Sequence, residues 1–237
     1  MSQNCTELDK IITQSQSTNK QLREQAQATI SALRLDGGTT PVLFEYVTQE
    51  TMFSEQNRLA VAVIIKNIVK KVYGVSMADF KSAPNQFLLQ QHSYTNYDEA
   101  KRKFDETISG DLEDDPSTFI DPAGIVIIQQ NLVPLIMGCP SRLITLQFLE
   151  MLSLMGKRFV QNEWPSLIPE LASYLAIDPT KPHNLQCSKL ALEAIKKICK
   201  KYRYMFRSDD LYREMNYMIE NLSHHLLSNL IFAVSTL

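Results

Sequence analysis

Helical periodicity in this chain comes in pairs, and the pairs repeat. Residues 5–16 and 19–35 read as the first pair, with Leu22, Ala26, Ile30 and Leu33 on one stripe of its second helix. Residues 41–50 and 55–73 form the second pair, 122–138 and 141–159 the third, and 165–176 and 184–204 the fourth. An unpaired helix follows, capped by Ser208, with Leu211, Met215, Met218, Leu222 and Leu226 as its stripe. Such pairs cannot enclose their apolar faces alone, and stacking on a neighbour does it for them. The pattern predicts an all-α fold, a right-handed α-solenoid of stacked antiparallel helix pairs.

Each ordered pair takes about 40 residues, the period of HEAT and armadillo arrays. Composition agrees: 7 glycines in 237 residues suit helices joined by short turns better than a β-rich fold. Three regions follow. Residues 1–73 carry repeats one and two, and 121–237 carry repeats three and four with the start of a fifth. Residues 74–120 interrupt the pattern with QQHSYTNY (90–97) and the acidic run DLEDD (111–115). So long a stretch without periodicity reads as a disordered insertion, with a short helix near 97–108. Asp121 and Pro122 then restart the helices as N-cap and first helical residue. The chain closes on the apolar stretch 226–237, where a finished solenoid carries a polar cap, which predicts that it is part of something longer.

Several function classes find no support. Net charge is -2, against nucleic-acid binding. Residues 1–35 lack the apolar core of a signal peptide, and no apolar run reaches membrane-span length. The glycosylation-like triplets at Asn4 and Asn221 are then chance matches. Cys5, Cys139, Cys187 and Cys199 form no C-x-x-C pair and read as small buried thiols. No phosphate-loop, dinucleotide, zinc-protease or serine-hydrolase motif occurs. His92, His183, His224 and His225 lack a surrounding ligand pattern. The expectation is a protein without cofactor, metal site or catalytic residues. Trp164-Pro165 reads as a helix start with the tryptophan packed beneath.

Two basic patches remain. Lys66, Asn67, Lys70 and Lys71 share one side of the 55–73 helix. They are either the solvated end of a buried helix or an anchor for an acidic protein surface. Lys196, Lys197, Lys200, Lys201 and Arg203 form a denser basic face on the 184–204 helix, read as a solvated helix face, since weak aromatic interleaving and the negative net charge count against nucleic acid.

These stretches also carry a resemblance. RLAVAVIIKNIVKK (58–71) resembles the arginine-led helix, ending in Lys-Asn-x-(Ile/Val)-x-Lys, of the importin-β (karyopherin-β) family's N-terminal repeats. LVPLI (132–136) and WPSLIPEL (164–171) resemble the next two repeats of that family, and KKYRYMFRSDDLYRE (200–214) is similar to its importin-α-exporting branch. Tyr73 departs from the tryptophan usual at that helix end, and the 74–120 segment is longer than in that branch. The resemblance implies a non-enzymatic transport receptor of nucleus and cytoplasm that shuttles through the nuclear pore. Its partners would be Ran-GTP, importin-α or other protein cargo, and phenylalanine-glycine-repeat nucleoporins, without nucleic acid or membrane. The family places Ran against the second helices of the repeats. That implies Lys66, Asn67, Lys70, Lys71, Gln147 and Glu150 as Ran contacts, with Arg58 serving packing. Another importin of the family, or a helical-repeat scaffold outside transport, is the alternative.

Overall fold

The computed structural model describes residues 3–73, 119–159, 164–176, 182–203 and 209–235. Nine helices lie within them: α1 (Gln3–Ser15), α2 (Lys20–Ser31), α3 (Thr39–Thr48), α4 (Glu55–Tyr73), α5 (Pro122–Gly138), α6 (Arg142–Phe159), α7 (Leu167–Ser173), α8 (Pro182–Cys199) and α9 (Asp209–Ser235). A 3-10 turn, Lys200–Arg203, extends α8. No named strand occurs among the described residues.

The helices stack in two rows. Helices α4, α6 and α8 pack side by side, and α3, α5 and α7 pack along the other side, each against its partner in the pair. Helix α1 lies on α3 and α4, α2 lies on α1, and α9 lies on α7. The expected helical solenoid is what the chain forms. The rows meet along a core that includes Leu43, Ile65, Ile128, Leu132, Phe148, Leu152, Ile168 and Ala194, all essentially inaccessible to water. Phe44 of α3 meets Phe148 of α6 edge-on at 6.2 Å between ring centroids. Helix α6 sits in the middle and presents apolar or small residues to both neighbours. Gly156 is one of them, since a Cβ there would lie 3.1 Å from Ile198 of α8.

Local chemistry sets the helix ends. Asn19 caps α2 by accepting hydrogen bonds from the amides of Gln21 and Leu22. Asp121 caps α5 by accepting from Gly124 N at 2.6 Å, with Pro122 in the first turn, as the sequence predicts. Helix α2 stops at Ser31, short of the expected 35. A turn follows at Ala32, and Leu35 forms a parallel bridge with Ile120. The Leu35 amide donates to Phe119 O at 2.9 Å, and Asp121 N donates back to Leu35 O at 3.1 Å. Gly37 and Gly38 serve the start of α3 rather than the end of α2. Asp36 Oδ1 accepts from Gly38 N at 2.8 Å and Thr39 N at 2.6 Å. The Thr39 amide, foremost, holds that carboxyl below its usual range.

The insertion expected over 74–120 lies outside the described residues except for Phe119 and Ile120, which pack into the fold. The Ser208 cap and His92 also lie outside them.

Candidate functional site

Helix α4 buries Arg58, Val61, Ala62, Ile65, Ile68 and Val69, steps of three and one that trace a single face. What remains at its C-terminal end is polar by geometry. Asn67 and Lys70 are exposed and Lys66 is half-buried. No side-chain hydrogen bond or ion pair holds any of the three within the described residues. Lys70 and Lys71 occupy the last turn, where cations meet the negative end of the helix dipole.

Lys71 is held differently. Its Nζ lies 5.0 Å from the centroid of the Phe119 ring, and Arg34 Cζ lies 4.6 Å from the same centroid. Cations within about 6 Å of a ring are attracted by its quadrupole. Arg34 also donates to Ser31 O and Leu33 O, the carbonyls where α2 ends. The four residues read as one patch thus divide into a trio without side-chain partners among the described residues and a lysine drawn onto Phe119. Sequence reasoning missed this clamp, because Phe119 stands at the edge of a segment with no periodicity to mark it.

The two α6 candidates lie on the neighbouring helix of the same row. Gln147 is half-buried; Glu150 is exposed, and its Oε2 is 3.7 Å from Lys197 Nζ of α8. Arg142 and Glu193 make a second α6–α8 pair at 2.8 Å. Ser141 donates to Glu55 Oε1 at 2.6 Å, so α4 and α6 start level. At about 1.5 Å per residue, Lys70 is ~22 Å along α4 when Glu150 is ~14 Å along α6. Lys66, ~17 Å along α4, stands nearly level with Glu150 in the same row, while Lys70 lies more than a turn beyond it.

The second basic patch is broken up. Lys196 and Lys200 are exposed, but Lys197 faces Glu150. Lys201 turns inward and pairs with Glu214 of α9, the two side chains being 10% and 13% exposed. It also sits 5.2 Å above the Tyr202 ring. Burial, then the charge of Glu214, pushes the Tyr202 hydroxyl far above the usual phenol range. Of Arg203, only the backbone is described. The α8 lysines are therefore in part the fabric of the stack.

Other chemistry is sparse. Cys5 and Cys187 are buried thiols that donate to Val42 O and Met137 O, and burial pushes the Cys187 and Cys199 thiols up. The described residues contain no group of three or more metal-ligating side chains. No described helix is long and apolar enough to cross a membrane. His224 and His225 lie edge to face on α9, 5.7 Å apart.

Comparison with known proteins points one way. The curated "Importin alpha re-exporter" of Saccharomyces cerevisiae (strain ATCC 204508 / S288c) is 30% identical over 108 residues, 45% of this chain. The solved structure of the exportin Cse1 in its cargo-free, cytoplasmic state covers 96% of the chain with a TM-score of 0.64, at 18% identity. The chain resembles an importin-α re-exporter. It spans 11% of the curated relative and 20% of the solved chain. No protein-family model matches.

The stretches that carry the re-exporter resemblance fall on elements of the stack. The 58–71 run is α4, 132–136 lies in α5, 164–171 leads into α7, and 200–214 joins α8 to α9. Arg58 is buried and donates to Val47 O, in the last turn of α3, at 3.2 Å. It thus ties the two helices of its pair, and the resemblance at this position is one of packing. Trp164 is buried beneath the start of α7, and Tyr217 of α9 donates to Pro165 O at 2.8 Å.

Proposed function

We propose that this chain is a Ran-GTP-binding module of a karyopherin-β-type nuclear transport receptor whose cargo is importin-α. The observation that carries the reading is the trio Lys66, Asn67 and Lys70, without side-chain partners among the described residues, on α4 of a chain that resembles an importin-α re-exporter. A receptor of this kind shuttles between nucleus and cytoplasm and meets phenylalanine-glycine nucleoporins on the way. It works as a binding protein, and nucleotide hydrolysis belongs to Ran. Stacked helix pairs suit the task, because small rotations at each interface add along the array. If Ran-GTP and cargo favour the same curvature, each raises the affinity of the other.

Under this reading Lys66 and Lys70 meet carboxylates on Ran, Asn67 offers hydrogen bonds, and Lys71 stays on Phe119. Gln147 and Glu150 contact the same partner from the neighbouring helix α6. Exposed charges of this kind chiefly set encounter rate and partner choice. The test is binding of Ran-GTP and Ran-GDP to the wild-type chain and to a Lys66→Glu, Lys70→Glu double variant. The expected result is preference for Ran-GTP and a loss of about tenfold, ~1.4 kcal/mol, in the variant. Helicity and melting temperature should stay near wild type. Equal affinity for both nucleotide states would argue for a scaffold outside transport. Unchanged affinity in the double variant would remove the trio from the contact.

A further inference from the structure

The row α4–α6–α8 brings the two basic patches to one level. Ser141 and Glu55 set the starts of α6 and α4 side by side, so Lys66 and Glu150 stand at nearly the same height. Glu150 meets Lys197 at 3.7 Å, which carries that height across to the end of α8. Glu193 and Lys197, each paired with α6, mark the flank of α8 that faces it. Lys196 and Lys200 lie within about 100° of Lys197 around the helix, and both are exposed.

The charges along this level alternate by helix. Helix α4 offers Lys66 and Lys70, α6 offers Glu150 with Gln147 beside it, and α8 offers Lys196 and Lys200. Lys197 offsets Glu150 and Arg142 offsets Glu193, whereas no ion pair within the described residues holds Lys66, Lys70, Lys196 or Lys200. Packed helices stand about 8–10 Å apart, so the two lysine pairs are ~16–20 Å from each other. An extended chain covers that distance in about six steps of ~3.3 Å.

We propose that the row binds an extended acidic polypeptide segment laid across α4, α6 and α8, with acidic residues at both ends and neutral polar residues between them. Lys66 and Lys70 take the carboxylates at one end, and Lys196 and Lys200 those at the other. Glu150 repels a carboxylate over α6, while Asn67 and Gln147 hydrogen-bond the backbone of the middle residues. A nucleic-acid strand fits worse, because a charge every ~3.4 Å would set phosphates against Glu150. The proposal shares the α4 lysines with the Ran contact above but does not require Ran as the partner.

Fluorescence anisotropy with the full 237-residue chain and a labelled peptide, Glu-Asp-Ser-Gly-Ser-Asp-Glu, tests the arrangement. The peptide should bind about tenfold more tightly than its isomer Ser-Gly-Ser-Glu-Asp-Asp-Glu, which carries the same charge at one end only, and both should weaken as salt rises. The double variants Lys66→Glu, Lys70→Glu and Lys196→Glu, Lys200→Glu should each lose about tenfold with helicity retained. Replacing one acidic end of the peptide by Lys-Lys should restore binding to the second variant. No binding of the peptide, equal affinity for the two isomers, a loss confined to the α4 variant, or tighter binding of a single-stranded oligonucleotide of equal charge would overturn the proposal. Ran binding is read separately: a chain indifferent to the nucleotide on Ran that still prefers the end-charged peptide keeps this surface and removes the Ran reading.

Discussion

Single residues make the joints between repeats. Gly124 is the clearest case: a Cβ there would stand 2.1 Å from Leu35 O, a backbone atom that cannot swing aside. The glycine lets the first turn of α5 approach the segment after α2 and so admits the Leu35–Ile120 bridge. Gly124→Ala should therefore destabilise the chain despite alanine's better helix propensity. The loss expected is ~2 kcal/mol or more, from overpacking and the broken bridge. Chemical denaturation measures it; a neutral or stabilising result would show that Leu35 can retreat at no cost. Arg58 works at the same scale. Its guanidinium reaches the α3 terminus from inside the stack, where it also meets the negative end of that helix dipole. Asp9 likewise accepts from Tyr46 of α3 and Asn57 of α4, tying three helices through one carboxylate.

Among the elements, the joint between α8 and α9 is one held by charge. Lys201 and Glu214 are nearly enclosed, and Tyr202 lies beside them. Removing one partner of a buried pair strands the other without water, a loss of ~3–5 kcal/mol where burial is complete. Exposure of 10% and 13% tempers that only slightly. Lys201→Met alone should cost about 2–4 kcal/mol, and Lys201→Met with Glu214→Leu clearly less than the sum of the singles. A double-mutant cycle followed by thermal unfolding reads the coupling. Additive losses would show that the two side chains act independently. The α6–α8 pairs Arg142–Glu193 and Glu150–Lys197 are more exposed and contribute far less each. Their effect is to align surface residues in the row that holds Gln147.

Across the whole molecule, stability follows how many neighbours each helix has. Helices α4 and α6 are covered on several sides, whereas α2 rests on α1 and buries only Ala26. Its stripe residue Leu22, expected in the core, is 38% exposed. A stacked array opens from its weakly covered ends, because each repeat is held only by those beside it. Native-state hydrogen exchange should therefore show α2 amides exchanging first and α4 and α6 amides last. Equal protection along the chain would mean that it unfolds as one unit.

Helix positions, their pairing in order and the stripes that became the core were legible in the amino-acid order, because an apolar period near 3.6 is a local property. Asp121 as a cap and the resemblance on α4 were legible for the same reason, and the start at Trp164-Pro165 was legible to within two residues, α7 beginning at Leu167 after Ser166. The state of each lysine was not. Lys66, Lys70, Lys71 and Lys201 look alike in sequence, yet Lys70 is exposed, Lys66 half-buried, Lys71 rests on Phe119 and Lys201 is enclosed with Glu214. Which carboxylate or ring a side chain meets depends on the register between helices tens of residues apart, and only packing sets that register. The end of α2 belongs to the same class. Nothing between Ser31 and Leu35 forbids a helix, but the hydrogen bonds that Leu35 makes to Phe119 and Asp121 come from a segment more than eighty residues away.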